Sequence, residues 1–204
     1  MKALHHGYSQ SIIDKHRDSL LDYEWWDHVY QDFGDDMACG IHVEAMYFSG
    51  FSSQGDGACF EGNIDDFALF MAHHNMNYPA LKALLQTSHD IHVSWHQRGR
   101  YYHKHSLRFE SECTPPDFMD PGVDPNTDDL RTAVLRVALN NLDDEMDAFM
   151  DEVEEIVRRY CDTLYTKLQS EYDRLTSDEV VADWLHDNGY IEEKEVTEDD
   201  VIPA

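Results

Sequence analysis

Between Thr127 and Thr176 the chain contains neither proline nor glycine. Fifty residues without a helix breaker leave few options for the backbone, and the apolar positions choose among them. Leu142, Met146, Phe149, Val153, Ile156 and Tyr160 step by four, three, four, three and four. That is the seam of a helix with one apolar face. The steps lengthen after Tyr160, through Leu164, Leu168 and Tyr172 to Leu175. A single helix of this length would span about 75 Å at 1.5 Å per residue. A break near Asn140 and Asn141 would instead give an antiparallel helical pair, and both remain open at the level of sequence.

The rest of the chain reads differently. Residues 9–35 are predicted helical, with Leu20, Leu21, Trp25, Trp26, Val29, Tyr30 and Phe33 on one stripe and Gly34 at its end. Of Trp25 and Trp26, one is expected in the core and one half-exposed. Ile41–Phe48 is a strand, rich in aromatic and β-branched residues. Gly55-Asp56-Gly57 is a turn, and Ala58-Cys59-Phe60 returns as the second strand of a hairpin. Residues 64–86 turn helical again, with Pro79 breaking the segment near Tyr78. A second hairpin follows. His89–His96 alternates, Arg98-Gly99-Arg100 turns, and Tyr101–Glu110 returns with His103 and His105 on one face.

The expected fold class is α+β. A small antiparallel sheet of about four strands in two hairpins packs with N-terminal helices, and a long acidic helical arm or pair follows. Four of the six prolines fall within residues 113–127. The division is therefore 1–112 as the α+β core, 113–126 as a Pro-rich linker, 127–189 as the acidic helical region and 190–204 as an acidic tail. Ser177 is expected to cap a last helix that Asn188-Gly189 ends.

Charge narrows the function. Over 204 residues, 15 Lys and Arg face 42 Asp and Glu, a net charge of −27. Such a chain repels phosphate backbones and anionic bilayers, so direct nucleic-acid binding and membrane association are not expected. An apolar fraction of 42% predicts a folded, soluble protein. The residues from Met1 to Tyr8 open no apolar run, and no stretch is apolar enough to span a bilayer. Cys39, Cys59, Cys113 and Cys161 form no CxxC pair and read as reduced thiols.

Eight acids fall within residues 143–155: Asp143, Asp144, Glu145, Asp147, Asp151, Glu152, Glu154 and Glu155. The commonplace reading of such a face is solvation. Yet −27 is about three times the largest charge that serves a small domain's solubility, and self-repulsion at that density costs stability. Helical carboxylates three and four residues apart stand about 5–6 Å from each other. That resembles the phosphate array of a nucleic acid, with one phosphate per 3.4 Å of axis on each strand. These eight residues are therefore the candidate partner-binding set. The expected partner is a nucleic-acid-binding protein whose basic cleft they would occupy by DNA mimicry.

Enzymatic chemistry is less well marked, and an enzyme is not the leading expectation. No GxSxG, Walker A, GxGxxG or HExxH pattern occurs. Asp56, His96 and His103 are the candidate catalytic residues of an alternative reading. There the SQGDG loop and the His-rich hairpin form an enzyme or a small-ligand or metal-binding domain, with Ser53 and Gln54 nearby. A turn Asp bonded to backbone N–H groups explains Asp56 equally well. His73 and His74 are adjacent and expected to diverge on a helix, and neither a metal nor a cofactor is assigned. A further alternative is an antitoxin-like interaction protein, with a homodimer through the 142–175 helix.

The stretch from Asp22 to Phe33, with its WWDxVYxDF string, and the YFSGFxSQGDGAxF string from Tyr47 to Phe60 resemble a family of small proteins encoded by bacteriophages and prophages. Arg98–His103 and Leu175–Glu179 resemble it too. The family's function is unestablished, and its members are sometimes labelled antitoxin-like. The resemblance implies a viral protein acting in the host cytoplasm; taken with the acidic face, the expected role is an anti-defence inhibitor of a host protein. It carries no catalytic residue over.

Overall fold

The computed structural model describes residues 7–21, 24–86, 91–113 and 142–190. The chain divides into two compact units, one of Val29–Lys167 and one of Met1–His28 with Leu168–Ala204. The fold is α+β, with a four-stranded antiparallel sheet and a long C-terminal helix. The Pro-rich linker, the 127–141 stretch with Asn140 and Asn141, and the acidic tail beyond Tyr190 lie outside the described residues.

The larger unit is built on the sheet. Strands β1 (Ile41–Phe48), β2 (Ala58–Ile64), β3 (Ile91–Gln97) and β4 (Leu107–Cys113) lie in the order β1-β2-β3-β4. The two hairpins therefore share one sheet, joined by β2–β3 pairing at Gly62↔Trp95 and Asn63↔Ser94. Register in the first hairpin runs from Ile41↔Ile64 to Phe48↔Ala58, with a shift between Val43 and Ala45. Gly62 sits where neighbouring backbone closes in. A Cβ there would run into the carbonyl oxygen of His42 and stand 3.4 Å from the Trp95 ring. Trp95 and Val93 are fully buried, as the alternation predicts.

The connection between the hairpins is helical. Asp66 caps α3 (Phe67–His73), its carboxylate accepting from the Leu69 N–H at 2.8 Å. The chain then breaks at Tyr78, and Pro79 opens α4 (Pro79–Leu85) from the first helical position, where its missing N–H costs nothing. The second hairpin departs from expectation. His103 and His105 are not on a strand, because residues 104–106 form a 3-10 turn and β4 begins only at Leu107. The His103 ring caps that turn, its Nδ1 accepting from the His105 N–H at 3.1 Å. A ring nitrogen satisfying a local N–H favours the turn over a longer strand.

The helical region contributes α5 (Leu142–Leu175), 34 residues without a break, about 51 Å long. Its Phe149, Val153, Ile156, Val157, Cys161 and Leu164 are buried. Phe149 meets Phe67, Phe70 and Tyr78 at ring distances of 6.0, 6.3 and 5.6 Å. The core continues through Phe33, Phe60 and Trp95, with Phe33–Phe60 at 5.4 Å and Phe60–Trp95 at 5.6 Å, both edge-on. All four cysteines are free, and burial pushes the Cys59 and Cys161 thiols up to about 12. Cys59 and Cys161 therefore stay protonated at neutral pH, as core thiols do.

The smaller unit joins α1 (Gln10–Lys15) to α6 (Asp178–Asp187). Ile13, Val181, Ala182 and Leu185 are its buried centre, with Leu20, Trp184 and Tyr190 around them. Ser177 caps α6 and Gly189 follows its C-cap at φ +67°, as expected. Residues 9–35 are not one helix. The chain leaves α1 at His16 and re-enters α2 (Asp27–Asp36) only after Glu24. Leu20 serves the Ile13 cluster, whereas Phe33 serves the core beside Phe60, so the apparent stripe is two stripes for two cores. Gly34 lies inside α2, and Trp25 and Trp26 are both half-buried, with Trp25 beside Tyr172 at 6.1 Å.

Arg17 ties this unit together, donating to the Thr176 carbonyl at 2.5 Å, to Asp178 at 2.7 Å and to Asp14. The Arg17 and Gln10 hydrogen bonds hold the Asp178 carboxyl below its ordinary value. A carboxylate with a lowered folded pKa contributes stability above its unfolded value near 4, and that contribution disappears as pH falls through the folded value. The melting temperature of the Asp178→Asn variant should therefore fall less steeply than that of the wild type between pH 5 and pH 2. In denaturant melts, Phe149→Ala should lose about 3–5 kcal/mol, and Gly62→Ala about 1–3 kcal/mol from overpacking.

Candidate functional site

The outward side of α5 carries the acids, and the structure sorts them by role. Glu145 is half-buried and bonded inward. Its Oε2 accepts from the Ala80 N–H at 2.8 Å and the Leu81 N–H at 3.2 Å, so it satisfies the open N–H groups of α4. Glu152 accepts from the Tyr78 hydroxyl at 2.7 Å. Burial, helped by the Glu152 bond and charge, pushes that phenol up to about 12. Glu154 pairs with Arg158 one turn on. Asp143, Asp144, Asp147, Asp151 and Glu155 are exposed.

Asp144, Asp147, Asp151 and Glu155 follow one another by three, four and four residues, so they form one stripe. It runs about 16 Å along the helix. Arg158 and Arg159 end it. There a cleft of about 430 Å³ is lined by Asp151, Glu154, Glu155, Arg158 and Asp162 of α5, and by Lys104 and His105 from the 3-10 turn. Lys104 bonds Asp162 at 2.6 Å. Burial and the positive charges of Arg158 and Lys104 lower the His105 pKa. The acidic stripe therefore has a defined basic end.

The candidate catalytic residues separate. Asp56 and His103 do meet, lining a cleft of about 270 Å³ with Lys104, Cys161, Asp162 and Tyr165. His96 lies elsewhere, against Glu110 at 3.3 Å, with both side chains about half exposed. The Asp56 Oδ2 accepts from the Ser52 and Ser53 N–H groups at 2.7 and 2.6 Å, the role of a turn aspartate. Ser53 and Gln54 point outward as exposed residues of the same turn.

One group escaped the sequence. Cys39, His73 and His74 each bring a potential ligand atom to within 4.8 Å of the others. The Tyr160 hydroxyl stands 3.7 Å from the Cys39 Sγ and 3.4 Å from the His74 Nε2. Adjacent helical residues should diverge by about 100°. Here the helix stops at His73, His74 leaves it at φ −93°, ψ 5°, and Asn75 adopts φ +57°. The two imidazoles end 4.8 Å apart, edge to face. The signal in the sequence was the Asn75 that follows them, a residue tolerant of the left-handed region that ends helices.

Among the described residues no helix is long and apolar enough to cross a membrane. A family model described as "Domain of unknown function (DUF8835)" matches residues 25–178. No curated protein and no solved structure matches the chain.

The two classes of α5 carboxylate should respond differently to mutation. Glu145→Ala should cost about 1 kcal/mol of stability through the lost cap. Asp147→Ala, exposed and unbonded to α4, should stay within about 0.5 kcal/mol of wild type in the same urea titration.

Proposed function

The chain belongs to the DUF8835 family, and from its own surface we propose that it is an acidic binding protein. It inhibits a host nucleic-acid-binding protein by presenting the Asp144–Asp147–Asp151–Glu155 stripe to that protein's basic cleft. The observation that carries this reading is the division of labour on α5. Glu145 and Glu152 are bonded inward, while the stripe is left exposed on a rigid, buried-backed helix. Fixed carboxylates on a rigid rod lose little entropy on docking, which favours them over acids on a flexible tail. The net charge of −27 adds long-range attraction to a basic partner. The resemblance to phage and prophage proteins favours a viral origin and a host-cytoplasmic setting, in which blocking a defence protein is the role an acidic mimic would serve.

A ligand-binding role for the 270 Å³ cleft has one observation in its favour, the convergence of Asp56, His103 and Lys104. The engagement of Asp56 with its own turn weakens it as a catalytic carboxylate. The antitoxin-like dimer has less support, because the apolar seam from Phe149 to Leu164 is buried within the chain itself.

The test is capture of partners from host lysate on wild-type chain and on a variant with Asp144→Asn, Asp147→Asn, Asp151→Asn and Glu155→Gln. The wild type should retain a basic nucleic-acid-binding protein that double-stranded DNA competes away and added salt releases. The variant should retain at least about tenfold less, since losing about 1.4 kcal/mol of attraction suffices for that. Equal retention by both would reject the mimicry reading.

A further inference from the structure

We propose that Cys39, His73 and His74 bind a single divalent transition-metal ion of the zinc class, with the Tyr160 hydroxyl at the fourth corner. This is independent of the acidic face, because none of the four residues belongs to the stripe.

The donor set selects the metal. One thiolate and two imidazoles are borderline-soft ligands that suit zinc and its neighbours. Calcium and magnesium want oxygen cages and find none in a Cys-His-His set. Tetrahedral zinc with bonds of about 2.0–2.3 Å holds its ligand atoms about 3.3–3.8 Å apart. The three potential ligand atoms already lie within 4.8 Å of one another, so side-chain rotations of about an ångström close the site.

The backbone holds these ligands on one rigid junction. Gly40, at φ +93°, follows Cys39, and its carbonyl accepts from the Asp65 and Asp66 N–H groups at 3.1 and 3.4 Å. A Cβ on Gly40 would stand 2.8 Å from the Phe70 nitrogen. The thiol-bearing turn is thus pressed against the first turn of α3, and the imidazoles stand at the last. Burial grades across the site: Cys39 is buried, His74 is half-buried and His73 is exposed. The exposed ligand gives the ion a way in, and the buried thiol gives it a dry anchor. The Tyr160 hydroxyl reaches both Cys39 and His74, and can either complete the coordination or hydrogen-bond the thiolate. Loading releases one proton, from the Cys39 thiol, as the sulfur–metal bond forms; the imidazoles bind in their neutral form.

The experiment titrates the chelator-stripped full chain with Co²⁺, followed optically, and then with Zn²⁺ by calorimetry. One equivalent of Co²⁺ should bind with a sulfur-to-cobalt charge-transfer band, and Zn²⁺ should displace it. Cys39→Ser should abolish the band. Because Cys39 is buried, the exposed His73 supplies the second variant: His73→Ala should keep its circular dichroism and lose Zn²⁺ affinity by about 100-fold. Absence of the band in the wild type would overturn the proposal. So would unchanged affinity in His73→Ala, which would assign the binding to other histidines such as the stacked His103–His105 pair.

Discussion

Burial along one side of α5 is the constraint on which the rest of this structure depends. Phe149, Val153, Ile156, Val157, Cys161 and Leu164 close the larger unit's core over α3 and the sheet. With that side fixed, a helix at 3.6 residues per turn has no freedom left in where its other residues point. Asp144, Asp147, Asp151 and Glu155 must face outward, and Glu145 and Glu152 must reach the N-terminal region of α4. The acidic face is thus a rigid consequence of core packing. A carboxylate array whose spacing is set by a buried helix keeps that spacing when a partner docks.

The charge works against the fold and is partly answered within it. Like charges on neighbouring turns repel, and 42 acids against 15 bases leave few partners. The cations present are placed economically. Lys167 bonds Asp36 at 2.5 Å, Lys104 bonds Asp162, and Arg174 bonds Glu171 at 2.7 Å. Glu145 and Glu152 are held by hydrogen-bond donors instead of by cations. The exposed stripe receives no such help among the described ion pairs except near Arg158. Exposed pairs contribute little to stability in any case. The stripe therefore persists because its helix is anchored from behind.

Most of the fold was legible because local chemistry and burial agreed. The β-branched run at 41–48, the Gly-Asp-Gly turn and the alternation at 89–96 each pointed to a strand or a turn. The described residues form strands at 41–48 and 91–97, with the turn Asp bonded to backbone N–H groups. Pro79 marked a helix break and Ser177 a helix start, through mechanisms that need no tertiary context. The failures share a cause: a long-range demand overrode the local pattern. One stripe at 9–35 was divided because its residues serve two cores. His103 left the strand because its ring satisfies a turn. At the candidate sites the run of eight acids was visible, but not that two of them are bonded to α4 and Tyr78. The meeting of Cys39 with His73 and His74 depends on backbone angles at three residues and on a glycine contact 26 positions away, between Gly40 and Asp66. No spacing rule encodes that.

In the proposed mimicry the exposed carboxylates of α5, and not its inward-bonded ones, form the partner surface. Carboxyl footprinting addresses it directly. A water-soluble carbodiimide labels accessible Asp and Glu in the free chain and in its complex with a captured basic partner, and peptide mass spectrometry reads each position. Asp144, Asp147, Asp151 and Glu155 should label readily in the free chain and become protected in the complex. Glu145 and Glu152 should label slowly in both. Protection that falls elsewhere, with the four stripe residues labelling equally in the free and bound states, would contradict it.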